Sequence, residues 1–409
     1  MTAPAHLPIA VVGAGAAGTV AAIFAAQGPR RVLLLERTRD GGRKILVSGG
    51  GRCNVLPSEP APARFVTDSS PNTLRKMLLS WPLAEQRRFF EEEVGVPLAL
   101  EEETGKLFPV SNQARDVRDG LLRLAARRGT ETVFDADVED FFLSDGAWVV
   151  RLQDARVIRA SSVILATGGL SLPGTGSDGT GLRIVRRLGH TIHETYPALT
   201  PLTADPPRHK PLAGISLEVT LEAGKLRTSG GFLFTHRGYS GPAVLDVSHL
   251  AVRSRMPIHV SWTPAGPEDW DRRLREGTGT VATPLRRALP DRLADTLLAE
   301  AGVEPGRPLP QLRREERRKL VDLLTRYPLP WTGDEGYRKA EVTGGGVALN
   351  EVDPRTLESR LHPGLFLCGE ILDAFGPIGG HNFAWAWATG RAAGMGALSR
   401  PKMSGMVLT

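Results

Sequence analysis

Cysteine is scarce. The 409 residues contain two, Cys53 and Cys368, far apart and without Cys-x-x-Cys spacing, so neither a disulfide framework nor a dithiol pair is available. Both thiols read as packed side chains, and a reducing cytoplasm is the compartment they fit. Lysine is scarce too: it supplies 8 of the 51 basic residues. The net charge of +6 and pI near 9.6 therefore reflect an arginine-rich composition as much as a polyanionic partner, and RNA stays open on charge alone. The first residues, MTAPAHLP, lack the basic start of a signal peptide. One charge-free stretch is long enough to span a bilayer, Ile9 to Gln27, but glycine and alanine dominate it and a strand, turn and helix explain it better. No transmembrane segment, metal site, repeat or low-complexity tract is expected. At 41% hydrophobic and 23% charged, the chain has core enough for two or three compact domains.

What is present starts in that same stretch. Ile9 to Val12 is an apolar strand running into Gly13-Ala14-Gly15-Ala16-Ala17-Gly18; Thr19 to Gln27 continues as a helix, and Val32 to Leu35 is a second strand ending in Glu36. Gly13 is read as the tight turn. Gly15 lets backbone approach a pyrophosphate, and Gly18 lets helix and strand pack closely. The helix N-terminus suits the phosphates, and Glu36 suits an unphosphorylated ribose diol. Together these predict a dinucleotide cradle in an α/β domain.

Gly41 to Asn54 follows, a glycine-rich segment carrying Arg43, Lys44 and Arg52 with almost no regular pattern, read as backbone lying against a planar ring. Thr73 to Glu93 and Asp116 to Arg128 have helical spacing and read as scaffold. Leu98 to Leu100, Lys106 to Pro109, Thr132 to Val138, Phe141 to Leu143, Trp148 to Leu152 and Arg156 to Ile158 read as a small β-meander. Val163 to Ala166 is a fully apolar strand ending in a Thr167-Gly168-Gly169 turn, as in a buried parallel sheet. A second GxGxxG, Gly174 to Gly179, starts too far beyond that strand and is read as a loop shaping a pocket wall.

Prolines cluster after His190, and an inserted domain is predicted there, with β-like Ile215 to Leu221 and Ile258 to Trp262. Its helical part spans about 269–327, with periodic Leu285 to Leu298 and Leu312 to Leu324. The mixed run Arg313 to Lys319 is read as a solvated helix face against an RNA grip. Lys339 to Thr343 begins the return, Leu365 to Cys368 is a last buried strand, and His381 to Leu398 a small-residue helix. The expected boundaries are 1–190 with 337–409, and 191–336.

At four places the residues resemble bacterial flavoproteins of the YhiN/BaiN type: GRKILVSGGGRCN (Gly42 to Asn54), FTHRGYSGPAVLDVS (Phe234 to Ser248), EVTGGGVALNEVDPRTLESRLHPGLFLCGE (Glu341 to Glu370) and GPIGGHNFAWAWATG (Gly376 to Gly390). The resemblance covers nearly the whole chain. Family members usually carry Tyr at His381, Gln at Ala384 and Leu at Tyr239. The resemblance implies a Rossmann-like FAD-binding domain of glutathione-reductase type, with an inserted α+β domain built as a distorted β-barrel plus helices.

It also implies non-covalent FAD. Gly13, Gly15, Ala16, Ala17 and Gly18 would meet the pyrophosphate, Glu36 and Arg37 the adenosine side, and Val138 the adenine. Lys44, Ser48, Gly49, Arg52, Cys53 and Asn54 would surround ribitol and ring together with Ala166, Thr167 and Gly168. Gly369, Glu370, Gly380, His381, Asn382 and Phe383 complete that set, with helix N–H groups stabilising charge on the reduced ring. Arg52 and His381 are the candidate catalytic residues; His236 and Tyr239 are the candidates on the substrate side.

By the same resemblance the expected activity is NAD(P)H-dependent reduction of an activated C=C bond in a small molecule. Ribosomal RNA dihydrouridine synthesis, amine oxidation and a non-catalytic flavin-binding redox sensor are the alternatives.

Overall fold

Five short strands, all parallel and all but one fully buried, make the sheet that positions everything else in the computed structural model, which describes residues 7–400. The order across the sheet is Leu365–Leu367, Ser162–Leu165, Ile9–Val12, Val32–Leu35, Thr130–Val133. Ile9 lies opposite Ser162 on one side and Val32 on the other, so the three central strands end level with one another. Apolar runs without alternation are what burial on both faces requires.

Helix Ala16–Ala25 covers one face together with the last helix, His381–Ser399. Small residues let these two helices touch by backbone. A methyl added to Gly390 would sit 2.4 Å from the Ala17 carbonyl oxygen, and one on Gly394 2.4 Å from that of Ala21. Because both contacts advance in the same direction, the helices run parallel. The last helix begins nine residues before Gly390, so its N-terminus projects roughly 10 Å beyond that of the first.

This sheet belongs to one of two compact units, residues 1–195 with 342–409; the other is 196–341. Each boundary falls a few residues after the one expected from the sequence. Most of the first residues, MTAPAHLP, expected not to be a signal peptide, lie outside the described residues. In the first unit the meander is Val138–Ser144, Ala147–Leu152 and Val157–Ala160. Thr130–Val133 pairs with Val32–Leu35 instead, and the run read as one strand from Thr132 to Val138 breaks at Asp135, whose φ is +50°. Leu98–Glu101, Lys106–Pro109 and Leu56–Pro57 form a separate antiparallel sheet. The glycine-rich segment read as irregular holds a short helix, Arg43–Val47, entered through left-handed Gly41 and Gly42 and left through left-handed Gly49 and Gly50. Five residues are too few to display a helical period.

The second unit has a seven-stranded antiparallel sheet with Ser216–Ala223 and Leu226–Phe234 as its long hairpin. Its core gathers Phe232, Phe234, Tyr239, Trp262, Trp270 and Tyr327. The stretch Leu285 to Leu298 is two helices, Ala282–Ala288 and Asp291–Ala301, because Pro290 stands between them. A further helix, Pro242–Ser254, went unread in a segment dense in glycine and proline. Among the described residues no helix is long and apolar enough to cross a membrane, and no group of three or more His, Cys, Asp or Glu is arranged to hold a metal ion.

Candidate functional site

The three glycines of the first turn do three different things. Gly13, at φ +101°, donates its N–H to the Leu35 carbonyl at 2.8 Å, and a methyl there would lie 2.6 Å from the Ala166 oxygen. A methyl on Gly18 would lie 1.8 Å from the Gly13 oxygen, so helix and strand are as close as backbone allows. Gly15 differs. It caps helix Ala16–Ala25 in an extended conformation, φ −79°, and a methyl there would meet no protein atom within 4 Å. The open direction lies at a helix end whose first N–H groups have no intrahelical acceptor and whose first turn holds no acidic side chain.

Glu36 closes the neighbouring strand end, 7% exposed. Its Oε2 accepts the Ala14 N–H at 2.7 Å; its Oε1 accepts the Thr38 N–H at 2.8 Å and the Thr38 hydroxyl at 2.6 Å. A carboxylate offers about four acceptor directions, so one stays available to a hydroxyl donor. Beside it, Arg37 is engaged by its own chain: it donates to Asp178, to Asp137 Oδ2 at 3.1 Å and to the Gly176 carbonyl at 3.4 Å. Val138, buried, starts the meander one residue after Asp137.

A second cluster ties together segments far apart in sequence. Lys44 Nζ donates to Ser171 Oγ at 2.6 Å and to Glu370, while Glu370 Oε1 also accepts from the Ser171 hydroxyl and, at 2.9 Å, from the Thr343 N–H. Thr343 Oγ1 in turn accepts the N–H groups of Leu170 and Ser171 at 2.7 and 3.0 Å. Ser171 and Thr343 escaped the sequence reading, since nothing local marks a serine whose partners are 127 and 199 residues away. Gly369, ahead of Glu370, is held by the last helix: Thr389 Oγ1 accepts its N–H at 3.0 Å and Trp385 donates to its carbonyl at 3.1 Å. Ala166, Thr167 and Gly168 follow strand Ser162–Leu165 directly, at the same edge as Gly13.

In the glycine-rich segment, Ser48 donates to the Ile45 carbonyl at 2.7 Å, Gly49 lies against Asn54 and Phe108, and Asn54 Oδ1 is buried with no donor among the described residues. Arg52 is half-exposed, its guanidinium 3.9 Å from the centre of the Phe108 ring and 3.0 Å from Glu101 Oε1. Cys53 is fully buried and burial pushes its thiol up to about 12; burial raises Cys368 likewise, so neither is a thiolate at neutral pH.

The last helix opens differently from expectation. Gly380 is left-handed, and a methyl on it would strike the Leu56–Pro57 backbone at 2.6 to 2.9 Å, so its Cα faces protein. His381 is buried, and burial, aided by Arg64, pulls its imidazole down to about 4. The ring is therefore neutral at pH 7, with one N–H donor and one acceptor nitrogen. The Asn382 side chain folds back on the preceding turn, accepting from the Gly376 N–H at 2.8 Å and donating to the Gly376 carbonyl at 3.0 Å. Phe383 stacks on Trp387, centroids 5.2 Å apart.

In the second unit His236 is exposed on a hairpin turn, whereas Tyr239 is fully buried. Its hydroxyl meets His209 Nδ1 at 2.9 Å, His209 Nε2 meets the Tyr327 hydroxyl at 3.0 Å, and Tyr327 donates to Glu300 at 3.2 Å. Tyr239 is therefore a core residue with a satisfied hydroxyl, not a substrate-side one. In the first unit a further histidine sits in a suggestive order: Ser359 Oγ is 2.9 Å from His190 Nε2, and His190 Nδ1 is 2.8 Å from Glu351. Here Ser359 is 4% exposed and its Oγ accepts the N–H groups of Leu361 and His362, so the serine is a turn residue with no access to a substrate.

The residues around the glycine turn fit FAD: space at Gly15, helix N–H groups with no acceptor among the described residues, and a carboxylate with an acceptor to spare. The family model described as HI0933-like protein Rossmann domain matches residues 7–396. The chain is 32% identical over 392 residues to a ribosomal RNA dihydrouridine synthase of Escherichia coli (strain K12), covering 93% of this chain and 95% of that one. It is 32% identical over 412 residues to a 3-dehydro-bile acid Δ(4,6)-reductase of Clostridium scindens, covering 96% and 99%. In fold it is similar to a 3-ketosteroid-Δ4-(5α)-dehydrogenase from Rhodococcus jostii RHA1, with TM-score 0.51, 16% identity and 98% of each chain covered. A flavocytochrome c3 fumarate reductase gives the same TM-score and identity over 97% of this chain and 78% of that one. With the family model spanning nearly every residue and two relatives aligned end to end, the chain belongs to the HI0933-like (YhiN/BaiN) family of FAD-dependent oxidoreductases.

Proposed function

We propose that this chain uses FAD and NAD(P)H to reduce a carbon–carbon double bond conjugated to a carbonyl in a small molecule, in the cytoplasm. The observation that carries the cofactor half is the vacant direction at Gly15 above a helix N-terminus, beside Glu36. The reaction half rests on kinship: a Δ(4,6)-reductase and a dihydrouridine synthase, both relatives at 32% identity, have names that describe saturation of such a bond. When bound, FAD supplies the hydride chemistry.

The chain's own part is binding and orientation. Gly13 to Gly18 and Glu36 would hold the pyrophosphate and adenosine ribose. The N-terminal N–H groups of the last helix, set roughly 10 Å further along the same direction, would meet the other end of the cofactor. Asn382 stiffens the turn that presents them. Neutral His381 can donate one hydrogen bond and accept another at the start of that helix.

The helix Arg314–Thr325 gives RNA no advantage over a small molecule: Glu315, Glu316 and Asp322 interrupt its basic residues and Arg317 binds Asp271 at 2.7 Å, which leaves Arg314 and Arg318 as exposed charges of a mixed face. The test is anaerobic reduction of the purified protein by NADH or NADPH, followed by reoxidation with steroid-like enones, uridine-containing RNA, amines and oxygen in turn. Fast reoxidation by an enone supports the proposal. Reoxidation by RNA or oxygen alone, reduction by an amine, or no turnover with any acceptor would each replace it.

A further inference from the structure

The second glycine-rich stretch, Leu172 to Gly179, has no role in the cradle as described. Its position in the sheet gives it one. It follows strand Ser162–Leu165, which flanks the first strand on one side; Arg37 follows strand Val32–Leu35, which flanks the first strand on the other. Where Asp178 meets Arg37, loop and guanidinium together cross the carboxyl end of strand Ile9–Val12, the end from which Gly13 to Gly18 springs. The loop is pinned at both ends. Ser171 is buried and bonded to Lys44 and Glu370; Asp178 holds Arg37 and accepts the Thr180 N–H at 3.0 Å. Between the pins the chain takes conformations foreign to most side chains, φ +51° at Leu172 and +109° at Gly176. Arg37 also reaches Asp137, so one guanidinium joins the loop to the segment just before Val138.

We propose that residues 171–179 are a strap over the dinucleotide, and that Arg37 and Asp178 are the positioning pair that keeps it closed. This rests on the FAD reading. FAD leaves when the Arg37 fork lets go of Asp178, and the arginine next to Glu36 is occupied by two acids and so unavailable to a 2′-phosphate. The ion pair is partly exposed, with side chains 32% and 39% accessible, so its contribution is modest and screened by salt.

The test is FAD release from the holoprotein, followed as the rise in flavin fluorescence on dilution, at low salt and at about 0.5 M salt. Asp178→Asn is the first variant, because asparagine keeps an acceptor for the Thr180 N–H and removes only the charge. It is expected to release FAD about two- to fivefold faster at low salt and to lose most of the acceleration by salt that the wild type shows. Arg37→Gln should do the same, and the double variant should be no faster than either single. Arg37→Lys, which keeps the charge but not the fork, should lie between; it also serves if Asp178→Asn folds poorly. Wild-type protein that holds FAD, with variants releasing it at the wild-type rate and with the same salt response, overturns the strap alone. Wild-type protein that takes up no FAD overturns both the strap and the cofactor reading.

Discussion

Replacing Gly15 by valine separates the fold from the cofactor in a way that no other glycine of the turn permits. The backbone at Gly15 is extended, φ −79° and ψ −168°, a conformation β-branched residues accept, and its side-chain direction meets no protein atom within 4 Å. The cost to the protein without cofactor is that of a poor N-cap, about 1 kcal/mol. The cost to FAD is larger, because the isopropyl group fills the approach to the helix N–H groups. Losing one or two hydrogen bonds to a charged phosphate, at about 1.5 to 3 kcal/mol each, weakens binding by roughly 10-fold to more than 10,000-fold. Gly18→Ala provides the contrast. Its methyl would lie 1.8 Å from the Gly13 oxygen, so helix and strand must part, and stability falls by about 1 to 3 kcal/mol or more along with FAD. The assay pairs flavin content and FAD titration with melting of the cofactor-free protein. Gly15→Val that melts near the wild type and stays colourless is the expected result; full FAD content at wild-type affinity would show that the pyrophosphate lies elsewhere.

His381 and His249 are each held by burial at about 4. The unfolded chain takes up protons near 6.5 that the folded chain refuses, so stability is complete above that pH and falls as pH drops toward 4, by up to roughly 3 kcal/mol per histidine. Urea midpoints measured from pH 7 to 4.5 should decline, and less steeply in His381→Asn; an unchanged slope would contradict the burial. Tyr239→Phe should cost about 1 to 3 kcal/mol by leaving His209 Nδ1 without its partner, while the KM for any substrate stays the same; a change in KM with intact stability would return Tyr239 to the substrate side. Gly380→Val should lower the melting temperature through its clash with Leu56–Pro57, so a variant of wild-type stability would disprove that contact. Reversing Arg313, Arg314 and Arg318 to Glu, sparing the Arg317–Asp271 pair, should leave enone reduction within twofold or so of the wild type, as for other exposed charges; loss of RNA-dependent turnover would favour RNA.

Some of this protein was written locally enough to be read from residues in a row. A strand, a glycine turn, a helix and a strand ending in an acid lie within Ile9 to Glu36, and each element is determined by neighbours in the chain: apolar runs for a sheet buried on both faces, glycine where side chains collide. The small residues of the last helix were equally visible, though their purpose was not. That Gly390 and Gly394 exist to press against Ala17 and Ala21, thereby setting one helix N-terminus ahead of the other, depends on a contact across most of the chain.

What the tertiary structure alone decided are the identities of partners and the cost of burying them. Sequence could place Tyr239 and His381 within motifs, but only packing shows the first sealed in a core and the second stripped of the water that would let it carry charge. Lys44, Ser171 and Glu370 converge because parallel strands deliver distant loops to one end of the sheet, Thr343 joins them from a separate strand, Val342–Val347, and Arg37 finds Asp178 because its strand and the strand before Asp178 flank the same neighbour. The side-chain pattern of a short segment specifies its own conformation and which face it buries; hydrogen bonds and charges at a sheet edge are settled by strand order, which no short segment encodes.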